Sequence, residues 1–412
     1  MSAYDVLKER GFVSQVTDEQ AVRRQLSEGV CSCYVGFDPT GQSLHVGHMV
    51  PLFAMAHLAR AGHTAIALIG GGTAQIGDPS GKTEMRRMLA TDEIDRNAES
   101  MGNQIRAFLQ TVNADATVVN NADWLRGLNY IEFLRDIGRH FSVNRMLSFE
   151  TYKMRLETGL SFIEFNYQLL QSYDYLCLYR ERGVTLQFGG DDQWGNIVAG
   201  MDLIRRVDGV EVQGLTFPLV TRADGQKMGK SEQGAVFLDP ELCSPYDFFQ
   251  YWRNVPDPDV VRFLKLYTFV PIEEIDELTA EGGSALNRAK ERLAWELTGM
   301  VHGQETADDS LAAARAAFGR IDDPSAKEGV PSTEIPHAEL EAGIGAVELF
   351  VRTGLCSSKG EARRLIRQGG ARVNDEKVRS EEDAIDAESL SGGELMLRAG
   401  KKRYHRVVVV QS

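Results

Sequence analysis

Residues 33 to 61 constrain the fold more tightly than any other stretch. An apolar run from Cys33 to Phe37 suits a buried strand, and Pro39 and Gly41 stop it with turn chemistry. From His48 to Ala61 apolar residues recur at helical spacing, with Leu52, Met55, Ala56 and Ala59 on one face. Strand, glycine-containing loop and helix together predict the opening βα unit of a doubly wound α/β fold. A helix entered this way turns free backbone N–H groups and a positive dipole end toward whatever lies beyond the strand. His45 and His48 fall at that helix mouth, and Gly47 between them leaves room for a flat base or a backbone to approach. Two imidazoles there can hydrogen-bond phosphate oxygens as charge builds during displacement at phosphorus. They could equally be a pair of helix-capping histidines, and so short a motif does not separate the two.

At 412 residues the chain has room for two or three domains. Its 43% hydrophobic and 25% charged content is that of an ordinary globular protein. No apolar segment approaches the roughly 18 to 20 residues that span a bilayer, and Met1 to Arg10 lacks an apolar signal core. The expectation is a cytoplasmic protein with no membrane partner. The five cysteines, at 31, 33, 177, 243 and 356, are scattered, and nothing near Cys31 and Cys33 completes a tetrahedral set. Buried reduced thiols are expected, with neither a bound structural metal nor a disulfide framework. The net charge of -14 hides a split: Arg352 to Ser412 carries 13 Lys and Arg against 9 Asp and Glu, while the preceding residues carry 32 against 50. A basic tail on an acidic body suits local docking of a polyanion with little indiscriminate sticking.

Residues 4 to 28 read as an amphipathic helical lead-in, and Thr64 to Ile69 as a parallel strand buried on both faces. Gly77 to Thr83 imitates a phosphate-binding P-loop, but Gly77 and Gly81 enclose three residues where that loop needs four, and Pro79 removes a donor. A P-loop is rejected, although Lys82 and Arg86, four apart, could still reach a phosphate as charged side chains. Residues 92 to 160 read as a mostly helical insertion, with one strand at Thr117 to Val119 and surface for dimer contacts. On the aromatic helix predicted for Ser161 to Tyr179, Tyr167, Gln171 and Asp174 share a face and predict a polar-lined pocket. Gly183 to Phe188 reads as another buried strand, followed by Gly189-Gly190-Asp191-Asp192-Gln193-Trp194-Gly195-Asn196. One aspartate there is expected to cap the next helix, leaving the other for a sugar hydroxyl or an ammonium group. Lys227 and Lys230 lie on a loop with Gly229, able to close over a triphosphate.

Residues 240 to 318 are helix-rich, and Pro324, Pro331 and Pro336 mark an interdomain linker. The last unit combines a basic helix at Glu361 to Gly369 with short strands and ends in Lys401-Lys402-Arg403-Tyr404-His405-Arg406. Basic residues with Tyr404 and His405 interleaved suit backbone-plus-stacking contact with structured RNA.

His45-Val46-Gly47-His48 followed about 180 residues later by Lys227-Met228-Gly229-Lys230-Ser231 resembles the HIGH and KMSKS pair of class I aminoacyl-tRNA synthetases. Tyr34 to Thr40, Gly77 to Lys82, Tyr167 to Asp174 and Gly190 to Asn196 resemble the bacterial-type tyrosyl-tRNA synthetases in particular. The C-terminal unit resembles the small RNA-binding module named after a ribosomal protein, the S-four-like domain. The resemblance implies ligation of L-tyrosine to tRNA(Tyr) with ATP, Mg²⁺ accompanying the ATP, and a homodimer. It implies that Tyr34 and Asp174 hold the phenol hydroxyl, that Asp78, Tyr167 and Gln171 hold the ammonium, and that Gln193 lies near the carboxylate. Gly36, Asp38, Gly47, Asp192 and Lys230 would contact ATP. Thr40, His45, His48, Lys82, Arg86, Lys227 and Lys230 would stabilise the triphosphate during attack. Lys359, Arg363, Arg364, Arg367, Lys401, Lys402 and Arg403 would bind RNA.

The fold expected is a doubly wound Rossmann-like catalytic domain over 1–225, with a helical insertion at about 120–180. A mobile lysine loop and helical tRNA-contacting domain over 226–320, a linker over 321–342 and a small α+β S-four-like domain over 343–412 would follow. Two departures from the family pattern stand out. Gly229 replaces the first serine of KMSKS and is expected to loosen the loop, and Asp191 adds a negative charge near the pocket. The rival readings are a tryptophanyl synthetase or small nucleotidyltransferase, and a catalytically silent RNA-binding protein on a synthetase scaffold. Asp174 with Tyr34 favours a phenol over an indole, and the intact histidines and lysines argue against a silent scaffold.

Overall fold

The computed structural model describes residues 2–80, 88–223, 228–231, 234–283, 286–318, 330–374, 376–390, 393–400 and 403–410. Two units emerge: Met1–Gly229 with Val236–Asp239 and Pro256–Ala289, and Lys230–Ala235 with Pro240–Val255 and Lys290–Ser412.

The first unit begins with α1 (Ala3–Glu9), whose Ser2 and Asp5 form a reciprocal capping box. The lead-in is not one continuous helix. Gly11, at φ +87°, ends α1, and the extended Gln15–Val16 (β1) pairs antiparallel with a later strand before α2 (Glu19–Gln25) begins. The main sheet then adds β2 (Ser32–Phe37), α3 (Met49–Arg60), β3 (Thr64–Ile69), α4 (Thr91–Thr111) and β4 (Ala116–Asn120). Four short helices follow, α5 (Ala122–Leu125), α6 (Tyr130–Asp136), α7 (Val143–Met146) and α8 (Glu150–Thr158), then the long α9 (Phe162–Arg182). The unit's sheet is completed by β5 (Leu186–Gly190), α10 (Trp194–Asp208) and β6 (Gln213–Phe217).

The strand order is β1-β6-β5-β2-β3-β4, parallel throughout except for β1. Because β2 pairs with β3 on one side and β5 on the other, the order reverses at β2, and a crevice opens beyond the carboxyl ends of β2 and β5. Burial follows from coverage of both faces: Ala65 to Ile69 of β3 are all buried, and α3 buries Leu52, Phe53, Ala54, Met55, Ala56 and Leu58. Two sequence boundaries shift. Residues 92 to 120 form α4 and the edge strand β4, so they extend the sheet and are not part of an insertion. Gly183 is the left-handed cap of α9 at φ +64°, so β5 starts only at Leu186.

In the second unit Lys230–Ser231 (β7) and Gly234–Ala235 (β8) form a two-stranded ribbon, and α11 (Pro245–Arg253) follows. The chain then contributes α12 (Val260–Tyr267) and α13 (Ile272–Thr279) to the first unit. There Phe53 of α3 meets Tyr267 and Phe269 edge-on or tilted at 6.2 and 5.4 Å, and Arg10 donates to the Lys265, Thr268 and Val270 carbonyls. The helical stretch from 226 to 320 is therefore divided between the units and is not one middle domain. Its last helices are α14 (Leu286–His302) and α15 (Gln304–Phe318), and Glu291 bridges Arg253 and Arg315 at 3.0 and 3.1 Å.

The C-terminal module of the second unit is built from β9 (Ser332–Pro336), α16 (His337–Glu341), β10 (Ile344–Gly345), α17 (Ala346–Arg352) and α18 (Lys359–Arg367). It continues through β11 (Ala371–Val373), β12 (Glu376–Lys377), β13 (Ala384–Ile385), β14 (Glu394–Ala399) and β15 (Arg403–Val410). Five strands run β12-β11-β14-β15-β9, with β9 parallel to β15. The proline-bearing segment read as a linker therefore contributes from its second half to the module. Ile335 and Leu340 are wholly buried in one core with Leu349, Phe350, Leu395 and Val407. Prolines are tolerated there because β9 is an edge strand.

Candidate active site

A cavity of about 510 Å³ opens at the crevice beyond β2 and β5. Tyr34 reaches it from β2 and Asp174 from α9, each 1% exposed. Tyr34 packs edge-on against Tyr175 at 5.3 Å, and its buried hydroxyl has no hydrogen-bond partner among the described residues. Asp174 accepts from Asn121 Nδ2 at 2.9 Å and Trp124 Nε1 at 2.7 Å. Asn121 is itself fixed, accepting from Gly72 N at 2.7 Å and donating to Thr73 Oγ1 at 2.9 Å. Burial pushes the Asp174 carboxyl up to about 7 despite the two donors that pull it down, and the Asp38 charge adds to the rise. The same burial, reinforced by Asp174, drives the Tyr34 phenol well above its ordinary range.

A polar chain lies beside this pair. Gln193 donates to Asp78 at 2.6 Å and accepts from Gln171 at 3.2 Å, and Asn196 joins Gln193 to Ser80, both at 3.2 Å. Asp78 also accepts from Ser80 N at 2.9 Å. The Gln171 carbonyl oxygen is buried without a partner among the described residues, and Tyr167 lines the same cavity. A carboxylate, an unmatched carbonyl oxygen and a phenol together suit an ammonium group. Gln187 of β5, 2% exposed with its carbonyl oxygen also unmatched, completes the floor.

Gly36 stands near the carboxyl end of β2, and a Cβ there would meet nothing within 4 Å, so a flat group can lie against the bare strand. Asp38, Gly47, His48 and Asp192 line this side. His45 Nδ1 accepts from Gly47 N at 3.0 Å and His48 Nδ1 accepts from His45 N at 3.1 Å, with ring centroids 4.0 Å apart. The histidines are helix caps, and the capping itself leaves the ring proton on Nε2 as a donor. Burial lowers the His45 pKa, which favours the neutral ring. A Cβ on Gly47 would sit 2.6 Å from His45 Cε1, which accounts for the glycine.

Thr40 and His45 do not line the cavity: Thr40 is exposed on the loop, its N–H bonded to the Asp38 carbonyl at 2.8 Å. Lys82, Arg86 and Lys227 lie outside the described residues, as does the side chain of Lys230. Gly229 occupies a backbone position that favours glycine. It holds φ +79°, its carbonyl accepts from Val236 N at 2.9 Å, and a Cβ there would lie 3.2 Å from Gly47 N.

Neither aspartate at 191 and 192 caps α10, because both fall in a single 3₁₀ turn ahead of it. Asp191 is turned away from the cavity and accepts from Thr216 at 2.5 Å, Ser14 at 2.7 Å and Gln15 at 3.2 Å, tying β1 and β6 to the turn that presents Asp192 and Gln193.

In the C-terminal module Lys359, Arg363 and Arg367 line one groove, joined by Arg379, which sequence reading missed. Arg364 does not line it, and Arg403 lies 3.6 Å from Glu361 instead. Lys401 and Lys402 are outside the described residues. Tyr404 and His405 are not available for stacking: they are 7% and 9% exposed, and His405 Nε2 lies 2.8 Å from Thr333 Oγ1 with burial lowering its pKa to about 4. Also missed were Thr73, Asn121, Trp124 and Gln187. Asn121 and Trp124 follow directly on the strand read at Thr117 to Val119, a position where ligand-facing groups belong.

Residues 26–319 match the family model described as tRNA synthetases class I (W and Y), and 324–407 match a tyrosine–tRNA ligase SYY-like C-terminal domain. The chain belongs to the class I tRNA synthetases of that W and Y family. It is 56% identical over 407 residues to the tyrosine–tRNA ligase of Treponema denticola, covering 98% of this chain and 99% of the relative. With that of Acetivibrio thermocellus it shares 51% over 409 residues, covering 99% and 100%. A C-terminally truncated mitochondrial tyrosyl-tRNA synthetase of Aspergillus nidulans superposes with TM-score 0.71 at 30% identity, over 77% of this chain and 94% of that one.

Because the Asp174 pKa is raised, the folded chain holds that proton more tightly than the unfolded chain. The resulting stability is full below the ordinary carboxylate range and is lost as pH rises through about 7. Between pH 5 and pH 8, thermal or denaturant unfolding of the ligand-free protein should therefore lose about 2–3 kcal/mol relative to Asp174→Asn. A difference that does not vary with pH would contradict the assignment.

Proposed function

We infer that this chain joins L-tyrosine to tRNA(Tyr) with ATP. The observation that carries the reading is the buried, unmatched Tyr34 hydroxyl beside Asp174 in the cavity next to the His45–His48 cap. A phenol placed there donates to the Asp174 carboxylate and accepts from Tyr34. Its ammonium meets Asp78, Tyr167 and Gln171, and its carboxylate lies near Gln193. Gly36, Asp38, Gly47 and Asp192 receive the adenosine portion of ATP. The tyrosine carboxylate then attacks the α-phosphorus, the bond to pyrophosphate breaks, and tyrosyl-adenylate forms. In the second step the terminal ribose hydroxyl of the tRNA attacks the carbonyl carbon and AMP departs.

Little covalent chemistry falls to the protein, so positioning and charge complementarity supply the rate. His45 and His48 donate through Nε2 to developing charge on phosphate, with Thr40, Lys82, Arg86, Lys227 and Lys230 assigned to the same task. Mg²⁺ travels with the ATP phosphates. Among the described residues no cluster of three His, Cys, Asp or Glu side chains could hold a metal ion, so no residue is assigned to it. Lys359, Arg363 and Arg367, with Arg379, take the RNA backbone.

The chain pairs as a homodimer through the α6–α9 surface, a reading supported by Tyr130, Ile131, Val143, Leu156 and Phe162, which are 53–71% exposed on these four helices. It works in the cytoplasm, a reading supported by the burial of Cys31, Cys33, Cys177 and Cys356 as thiols. No described helix is long and apolar enough to cross a membrane.

Exchange of pyrophosphate into ATP should require tyrosine. Exchange supported by tryptophan and not by tyrosine would overturn the amino-acid assignment, and none with any amino acid would favour a silent scaffold. Tyr34→Phe removes one hydrogen bond to the phenol and should lower kcat/KM for tyrosine about 3- to 15-fold. Ile131→Asp should shift sedimentation toward the monomer, and an unchanged sedimentation coefficient would remove α6 from the interface.

A further inference from the structure

The basic groove of the C-terminal module carries its own counter-ion. Lys359, Arg363 and Arg367 recur every four residues along α18 and so share one face. With Arg379 they line a groove of about 750 Å³. Glu381 reaches into it from the turn beyond β12. One carboxylate oxygen contacts Arg367 Nε, and the other lies 3.5 Å from Arg363 Nε. The side chain of Glu381 is 27% exposed, whereas those of Arg363 and Arg367 are 52% and 70% exposed. Glu348 and Glu382 also line the groove, so four cations face three acids.

We propose that Glu381 is a specificity-determining residue of this groove, an internal competitor that occupies Arg363 and Arg367 until correctly spaced RNA phosphates displace it. The proposal rests on reading the groove as the RNA site. A carboxylate and a phosphate compete for the same guanidinium donors. Exposed ion pairs of this kind are weak, so the carboxylate yields to a backbone that also engages Lys359 and Arg379. A phosphate that meets Arg363 and Arg367 alone gains little, because it only exchanges one anion for another at the same donors. Sequence-independent RNA binding is carried by unshielded Lys and Arg, so masking two arginines lowers that term first.

The test is binding of the full-length Glu381→Gln protein to tRNA(Tyr) and to an unrelated structured RNA of similar length, from about 50 to about 200 mM salt. Glutamine keeps the shape and removes the charge. Binding of the unrelated RNA should tighten about three- to tenfold at the lowest salt, with the logarithmic salt dependence steeper by about 0.9 for each newly engaged phosphate. Binding of tRNA(Tyr) should tighten less, so that selectivity falls. Glu381→Asp, charged but too short to bridge both arginines, should fall between the two proteins. Unchanged or weakened binding of the unrelated RNA by both variants, with circular dichroism and thermal unfolding intact, would overturn the proposal. Arg363→Gln with Arg367→Gln separates the two levels of the argument. If that pair leaves binding of either RNA unaltered, the groove is not the RNA site. If it weakens binding while the Glu381 variants change nothing, only the competitor role fails.

Discussion

A carboxylate wholly removed from water, at the same cavity as a phenol with no partner among the described residues, organises the catalytic half of this molecule. Asp174 would be costly to bury alone. Asn121 and Trp124 supply two donors, yet burial still outweighs them and the carboxyl pKa is driven up to about 7. The Tyr34 hydroxyl, buried at the same cavity, lacks among the described residues the partner that a buried polar group ordinarily has. Both deficits are relieved by one ligand group that donates and accepts through a single oxygen, which is the chemistry of a phenol. Apolar ligands of the same shape leave both groups as they were.

The sheet order explains why these groups meet. The reversal at β2 opens the crevice, β2 delivers Tyr34, the segment after β4 delivers Asn121 and Trp124, and α9 delivers Asp174, Gln171 and Tyr167. The turn after β5 delivers Asp192 and Gln193, and it is held from behind by Asp191 through Ser14, Gln15 and Thr216. The short N-terminal strand β1, which does not itself line the cavity, thereby steadies two residues of the candidate site. The histidine pair shows the same economy of parts: capping the helix start and presenting an Nε2 donor are one arrangement.

Much of this was legible in residues whose chemistry is local. The β2 strand, its loop and α3 announce themselves through an apolar run, turn residues and helical spacing, and Tyr167, Gln171 and Asp174 declare a shared face by spacing alone. What stayed hidden depends on tertiary partners. Nothing local to Asn121 or Trp124 shows that Asp174 lies opposite. Asp191 looked like a cap or a stray charge because its three donors come from residues 14, 15 and 216. Tyr404 and His405 looked like a stacking platform because a basic run was read as exposed, whereas β15 is flanked on both sides by β14 and β9 and buries both rings. The proline-rich segment read as linker because prolines suggest exposure, but Ile335 and Leu340 were enough to bring β9 and α16 into the core.

The central claim is that the Tyr34–Asp174 slot recognises a hydroxyl, and the most direct test compares tyrosine with phenylalanine in amino-acid-dependent exchange of pyrophosphate into ATP. The account predicts that kcat/KM for phenylalanine falls below that for tyrosine by about 10⁴- to 10⁵-fold, a magnitude already known for tyrosyl-tRNA synthetases and adopted from them. Asp174→Asn should shrink that ratio. Activation of phenylalanine within tenfold of tyrosine by the unaltered protein would contradict it.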